Sequence, residues 1–358
     1  MKNILSAYAN DIRNVVSKSR HGEHFNFTGP DLKSMSRGAS IGSVSSGRNL
    51  LTLEGIASPY SAETSQLGVH QDFAHLLGTE QTEYHYIVNV FMDMKGSTQL
   101  NDVYDSDMLM YITNTVQRAA IHVCLWSGGH IQRLMGDAVF VYFGGKSVSK
   151  TEATRRALMA TSMFTYFIKN DIASIFEEDG VENISTRTGI DFGDDNETLW
   201  GTFGTGNIIE LTTQSKHTSI ACHCQSNASK NGIIVGDNVI GRAELDDTLF
   251  TALRKPDGRL DYVYEGRRKG VYYKQHEFDW LKYLKSLPFI KNAADGRLYI
   301  ITPEEQEQER LERLRQKSNG LNSGTIYTTS SGLLTTNETA VKNQPHRFHY
   351  GKPFSTKG

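Results

Sequence analysis

The chain has 358 residues, 22% of them charged, with a net charge of -2, so no global basic field points to a nucleic-acid partner. Apolar residues make up 38%, low for a fully packed chain, and the three cysteines (Cys124, Cys222, Cys224) argue against a disulfide framework and fit a reducing compartment. No run approaches a membrane-spanning apolar length and the N-terminus lacks a signal-type apolar core, so a soluble, cytoplasmic protein is expected.

In chain order, Ile4, Leu5, Tyr8, Ile12, Val15 and Val16 are spaced for one face of a short helix. Residues 34–65 are rich in Ser and Gly and read as a linker, so 1–80 is expected to be a helix plus linker. Strand and helix patterns then alternate over 81–245. Tyr86 to Met92 reads as a strand; Met108, Ile112, Val116, Ala119 and Val123 form a helical stripe. His130 to Phe143 reads as a hairpin turning at Gly136-Asp137, and 152–176 as a second helix. Arg187 to Phe203 reads as another hairpin, turning at Asp194-Asp195-Asn196. Ser219 to Lys230 reads as a helix that closes at Asn231-Gly232 before the strand Ile233 to Val235. The order βαββαβ predicts an α+β sandwich, helices on a largely antiparallel sheet. Residues 246–302 crowd Tyr262, Tyr264, Tyr272, Tyr273, Phe278, Trp280 and Tyr283, which predicts a small C-terminal module. Within 303–358, Glu304 to Lys317 reads as a charged helix, and the polar remainder as a disordered tail.

Two carboxylates carry the chemistry. Asp93 ends the apolar run FMDM and is followed by Gly96-Ser97-Thr98; Asp137 sits on the Gly-Asp turn of MGDAVFVYFG. A carboxylate at a strand end and another on a hairpin tip suit hard divalent cations, which take oxygen ligands. The small-residue turn, with a helix start beyond it, offers backbone N–H groups to a polyphosphate. Cys222-His223-Cys224 lacks a second ligand pair elsewhere, so zinc is not expected there.

Four segments, FMDMKGST, MGDAVFVYFG, TGIDFGDDNETLWGTFG and SIACHCQSNASKNGIIV, resemble in order the metal strand, second metal turn, glycine-punctuated hairpin and catalytic helix of class III nucleotidyl cyclases. The resemblance spans Tyr84 to about Leu245. It implies a ferredoxin-like cyclase domain holding two Mn2+ or Mg2+ ions per site on Asp93, Asp137 and the carbonyl of Met94. Lys95, Gly96, Ser97 and Thr98 would face the triphosphate. The base-reading positions hold Arg133 and Thr212, neither of them a purine signature, and a guanidinium suits the acceptor-rich edge of cytosine or uracil. Where the family keeps an asparagine and an arginine on the catalytic helix, this chain has Ser219 and His223, a weaker charge donor.

Within the family the chain is most similar to the bacterial pyrimidine cyclases of Pycsar anti-phage signalling. That likeness implies a symmetric homodimer with shared sites, and UTP or CTP as substrate, with UTP slightly ahead on family frequency. It also implies a cyclic product read by a separate effector, and a sensor role for 246–302. The alternatives are a purine cyclase with altered pocket residues, or a nucleotide-binding dimerisation module without turnover.

Overall fold

The computed structural model describes residues 65–322 apart from 179, 182–183, 266–271 and 302. The expected N-terminal helix, nearly all of the linker and the C-terminal tail lie outside the described residues. β1 (Glu83–Tyr84) and β2 (Ile87–Met94) are followed by a short helix, α1 (Ser97–Leu100), and a long one, α2 (Ser106–Trp126). β3 (Gly129–Met135) and β4 (Ala138–Phe143) come next. α3 (Lys150–Phe167) then runs through a π-helical turn (Ile168–Ile172) into α4 (Ala173–Glu178). β5 (Thr186–Gly193), β6 (Leu199–Thr205) and β7 (Ile208–Gln214) lead to α5 (Lys216–Asn227), β8 (Gly232–Gly236) and α6 (Asp237–Ala243). Beyond them lie β9 (Phe250–Ala252), β10 (Tyr262–Glu265), β11 (Tyr272–Phe278), α7 (Trp280–Ser286), β12 (Ile290–Asn292), β13 (Leu298–Ile300) and α8 (Pro303–Asn322).

Local chemistry explains where the long helices begin. Asp105 accepts from the Met108 amide at 2.9 Å, Ser149 from that of Glu152 at 3.2 Å, and Ser215 from that of His217 at 3.2 Å. Each side chain satisfies an amide that the first helical turn leaves unpaired, worth about 1 kcal/mol.

The main sheet has eight strands in the order β10-β11-β8-β5-β2-β4-β3, with β9 also on β11. Among the described residues only β5 and β8 pair in parallel, so the expected α+β sandwich on a largely antiparallel sheet is what the chain forms. Alternation along β2 separates two cores. Val88, Val90 and Met92 face α2 and α3, in one cluster with Ile112, Val116, Leu158 and Phe164. Ile87 and Phe91 face the other way, with Phe140, Tyr142, Trp200 and Leu211. That second face is covered by the 3-10 turn Gln71–Leu76, by the β6–β7 hairpin and by α5.

Gly189 lets α5 lie directly on the sheet. A Cβ there would stand 2.1 Å from both the Ala221 carbonyl oxygen and the Gln225 nitrogen, so a side chain would lift the helix.

Three expectations are corrected. Arg187 to Phe203 is not a hairpin: β5 belongs to the main sheet, whereas β6 pairs with β1 and β7 in a separate three-stranded sheet. Asp194 and Asp195 form a corner, gripped by Lys150 and Arg242 and by the Tyr86 amide, while the true turn falls between Thr205 and Ile208. The helix expected from Ser219 starts three residues earlier, because Ser215 caps it. Finally, 246–302 is built onto the sheet rather than standing apart. β11 pairs with β8, Trp280 donates to the Asn231 carbonyl at 2.9 Å, and Phe278, Tyr283 and Leu284 enter the main core. The backbone of β11 covers an edge of β8 that would otherwise be open.

Two buried histidines make the second core sensitive to acid. His70 and His130 pack with ring centroids 5.0 Å apart. Burial lowers His70 to about 4; burial, with His70 adjacent, lowers His130 to about 3. Both are neutral in the folded chain and take up protons on unfolding below about 6.5, so stability falls as pH drops from there toward 4. His70 alone accounts for a loss on the order of 3 kcal/mol. Denaturant midpoints from pH 7.5 to 5 should decline, and His130→Gln should flatten that decline; an unchanged slope contradicts the assignment.

Candidate active site

Alternation along β2 sends Asp93 to the same face as Ile87, Asn89 and Phe91, under α5. Two bonds pin the helix along this strand: Thr218 Oγ1 donates to Asn89 Oδ1 at 2.9 Å, and Gln225 Nε2 donates to Asp93 Oδ2 at 2.8 Å. The seven-position step from Thr218 to Gln225 rises about 10 Å, comparable with the roughly 13 Å from Asn89 to Asp93. Arg187, directly across from Asp93 on β5, donates from Nε at 2.9 Å and Nη2 at 2.7 Å to the same carboxylate oxygen.

Asp137 arrives from the β3–β4 turn. Gly136 has φ +60°, the left-handed geometry that the first position of such a two-residue turn demands, and Gln117 of α2 donates to its carbonyl at 2.6 Å. The Asp137 carboxylate is a near neighbour of Asp93. Burial, and then the Asp137 charge, push the Asp93 carboxyl above its ordinary value, against the Arg187 guanidinium that pulls it down. Asp137 Oδ2 is buried and has no hydrogen-bond partner among the described residues. Two neighbouring carboxylates, one with an oxygen that lacks a hydrogen-bond partner, form an incomplete arrangement that a divalent cation would complete, and both donors are hard oxygen. Met94, the residue after Asp93, ends the same strand with its side chain buried. Among the described residues no group of three or more acidic, histidine or cysteine side chains gathers there, and the two carboxylates as a pair suit a hard divalent cation.

The Gly96-Ser97-Thr98 turn leads straight into a short helix. Gly96 takes φ +83° and opens α1, so Ser97 and Thr98 occupy its first turn, half-buried and exposed respectively. Lys95 is directed elsewhere: its Nζ donates to the Ala228 carbonyl at 3.2 Å, just past the end of α5.

Arg133 and Thr212 lie on neighbouring elements around Tyr142. The Tyr142 hydroxyl bonds to Thr212 Oγ1 at 3.2 Å and Thr213 Oγ1 at 3.0 Å. Arg133, expected at a base-reading position, forms an ion pair with Glu210 of β7. Ser219 and His223 project from the exposed side of α5, and among the described residues no hydrogen bond or ion pair joins them to Asp93; the helix reaches Asp93 through Gln225 instead. Cys222 is exposed while Cys224 is buried beside Ile220, so the Cys-His-Cys run spans different faces of α5.

Sequence reasoning missed Arg187, Gln225 and Glu210. A charged residue inside the otherwise uncharged segment Thr186-Arg187-Thr188 was a usable signal for Arg187, since such a side chain needs a partner. Nothing in the sequence marked Glu210, whose partner is 77 residues away.

No protein-family model matches the chain. It is 34% identical over 232 residues to a cytidylate cyclase of Staphylococcus aureus, covering 63% of this chain and 54% of that protein. It is 32% identical over 231 residues to a cytidylate cyclase of Escherichia coli, covering 62% and 50%. The chain thus spans about half the length of the curated relatives it matches. In sequence it resembles nucleotidyl cyclases, and pyrimidine cyclases among them. Among solved structures it is similar to the adenylyl cyclase CyaB from P. aeruginosa, with TM-score 0.47, 16% identity, and coverage of 55% of this chain and 95% of that one. Among the described residues no helix is long and apolar enough to cross a membrane.

Proposed function

We propose that the chain converts CTP to its 3′,5′-cyclic monophosphate and pyrophosphate, using divalent cations held by Asp93 and Asp137. One observation carries the reading: Asp137, on the β3–β4 turn, lies near Asp93 at the end of β2, and its buried Oδ2 has no hydrogen-bond partner among the described residues. The slight preference for UTP gives way to CTP because the curated relatives are named cytidylate cyclases.

Bound divalent ions would neutralise the triphosphate and make the ribose 3′-hydroxyl more acidic. The residues of the chain orient the rest. The 3′-oxygen bonds to the α-phosphorus, the bond from that phosphorus to the bridging oxygen breaks, pyrophosphate departs and the hydroxyl proton passes to water. Arg187, already beside Asp93, brings a planar cation to the phosphate oxygens, the positive charge that His223 supplies only when protonated. Ser97 and Thr98 offer amides to the outer phosphates. Arg133 and Thr212 face the base.

Ser219 and His223 point away from the carboxylates, and Leu134, Phe203, Ile208 and Ile209 expose apolar surface on β3 and the β6–β7 hairpin. A second copy of the chain would cover that surface and carry the outward face of α5 to the other copy's carboxylates, which supports a homodimer with shared sites. The cyclic product would act as a signal for a separate effector, in keeping with the resemblance to anti-phage cyclases.

The test is incubation of the full chain with each of four nucleoside triphosphates and manganese, with identification of the product. Cyclic CMP with an equal yield of pyrophosphate is expected. Cyclic AMP or GMP in its place favours a purine enzyme, and nucleotide bound without turnover favours a non-catalytic module.

A further inference from the structure

The ion pair between Arg133 and Glu210 is built rather than incidental. The register of β3 against β4 slips between Ile131 and Arg133. In a regular strand Gln132 and Arg133 would point to opposite faces; across this bulge both reach Glu210. Gln132 is buried at 2% exposure, and its Nε2 is shared between the Leu211 carbonyl at 2.8 Å and Glu210 Oε1 at 3.3 Å. Arg133 takes the other oxygen, Oε2. Both charged side chains stay partly open to solvent, at 47% and 33% exposure. An ion pair so exposed adds little to stability, which leaves its orientation by a buried amide unexplained by folding alone.

We infer that Glu210 is the residue that selects cytosine, accepting a hydrogen bond from its exocyclic amino group while Arg133 donates to the ring. This rests on the cyclase reading, in which Arg133 faces the base. Gln132 occupies Oε1, so Glu210 turns one oxygen, Oε2, outward beside a guanidinium that has donors to spare. The edge presented is donor, donor, acceptor. Cytosine offers O2, N3 and the amino group, which is acceptor, acceptor, donor, and matches at every position. Uracil offers acceptor, donor, acceptor, and meets a donor with its own N3–H or a carboxylate with its own carbonyl. Guanine would need two acceptors from Glu210, and Gln132 has taken one. Carboxylate recognition of the cytosine amino group, together with arginine on ring acceptors, is established pairing chemistry. A site that hydrogen-bonds a substrate group rejects analogues lacking it, because its own polar groups are then left unpaired.

The test is Glu210→Gln in the full chain, which keeps the shape and puts an amide, able to donate as well as accept, where the carboxylate was. Steady-state kinetics with CTP and UTP, and competition binding of the two nucleotides in the presence of manganese, are measured for both proteins. The expected result is a fall of about tenfold to a hundredfold in kcat/KM for CTP, carried mainly by KM, with UTP not reduced. An equal fall with both nucleotides, or no change with either, overturns the assignment. If the unaltered protein forms no cyclic product from any triphosphate, it is the cyclase reading that fails. The binding ratio then decides the role of Glu210: a preference for CTP lost in the variant supports it, and a ratio unchanged by the substitution overturns it.

Discussion

Asp137→Asn is expected to lower cyclase activity on the order of 10³-fold while leaving the fold intact. The turn that carries Asp137 is fixed by Gly136 and by the Gln117 amide on the Gly136 carbonyl, neither of which the substitution touches. Among the described residues Oδ2 has no hydrogen-bond partner that asparagine would lose. Removing the charge also relieves Asp93, whose carboxyl Asp137 helps to push upward, so thermal stability should hold or rise slightly. Loss of activity without loss of stability separates a site residue from a plain turn residue, for which both would stay unchanged. Asp93→Asn is the less clean test, because Arg187 and Gln225 would lose a buried acceptor.

His217→Ala is expected to destabilise the protein by about 3–5 kcal/mol, lowering Tm by roughly 10 °C. His217 sits in the first turn of α5, fully buried, with Nδ1 2.7 Å from Asp191 Oδ2 and Nε2 3.0 Å from Glu197. Asp191 is also fully buried on β5 and accepts from the Tyr273 hydroxyl of β11 at 2.8 Å. Removing the imidazole strands this carboxylate with one neutral donor from a side chain. Burial acts to lower the His217 pKa, but the Asp191 and Glu197 carboxylates outweigh it and hold the pKa above the ordinary histidine value. The stabilisation is therefore complete below about pH 6.5 and is lost as pH rises through the raised folded value. The gap between the two proteins should narrow in alkaline solution, and Asp191→Asn combined with His217→Ala should cost less than the sum of the single changes. A strictly additive pair, or a gap that widens with pH, contradicts the charged-pair account. Because α5 also carries Gln225, Ser219 and His223, activity should fall with stability.

What the sequence revealed and what it concealed divide by range. Asp93 and Asp137 were legible because each sits on a local signal: the end of an apolar run and a glycine turn. The strand and helix order was legible for the same reason, since alternation and helical spacing are properties of short windows. The error at 187–203 came from reading Asp194-Asp195-Asn196 as a hairpin turn. Those polar residues instead form a corner held by Lys150 and Arg242, contacts that lie 44 and 48 residues away. The partners of the site were hidden likewise. Arg187 meets Asp93, and Glu210 meets Arg133, only once β5 and β7 are set beside β2 and β3. Residues 246–302 looked self-contained because their aromatic side chains are dense, but β11 completes the edge of β8. The alignment of Ser219 and His223 with catalytic residues identified exposed positions on α5 without showing that, in this chain, they face away from the carboxylates.

The central claim is that Asp93 and Asp137 together hold divalent cations beside a nucleotide. Its most direct test is a manganese titration of the full chain with 3′-deoxy-CTP, which lacks the attacking hydroxyl, with bound ions counted by electron paramagnetic resonance. Saturable binding that Asp137→Asn abolishes, in a protein with an unaltered melting curve, is the predicted result. The same number of ions bound with the same affinity in both proteins would contradict it.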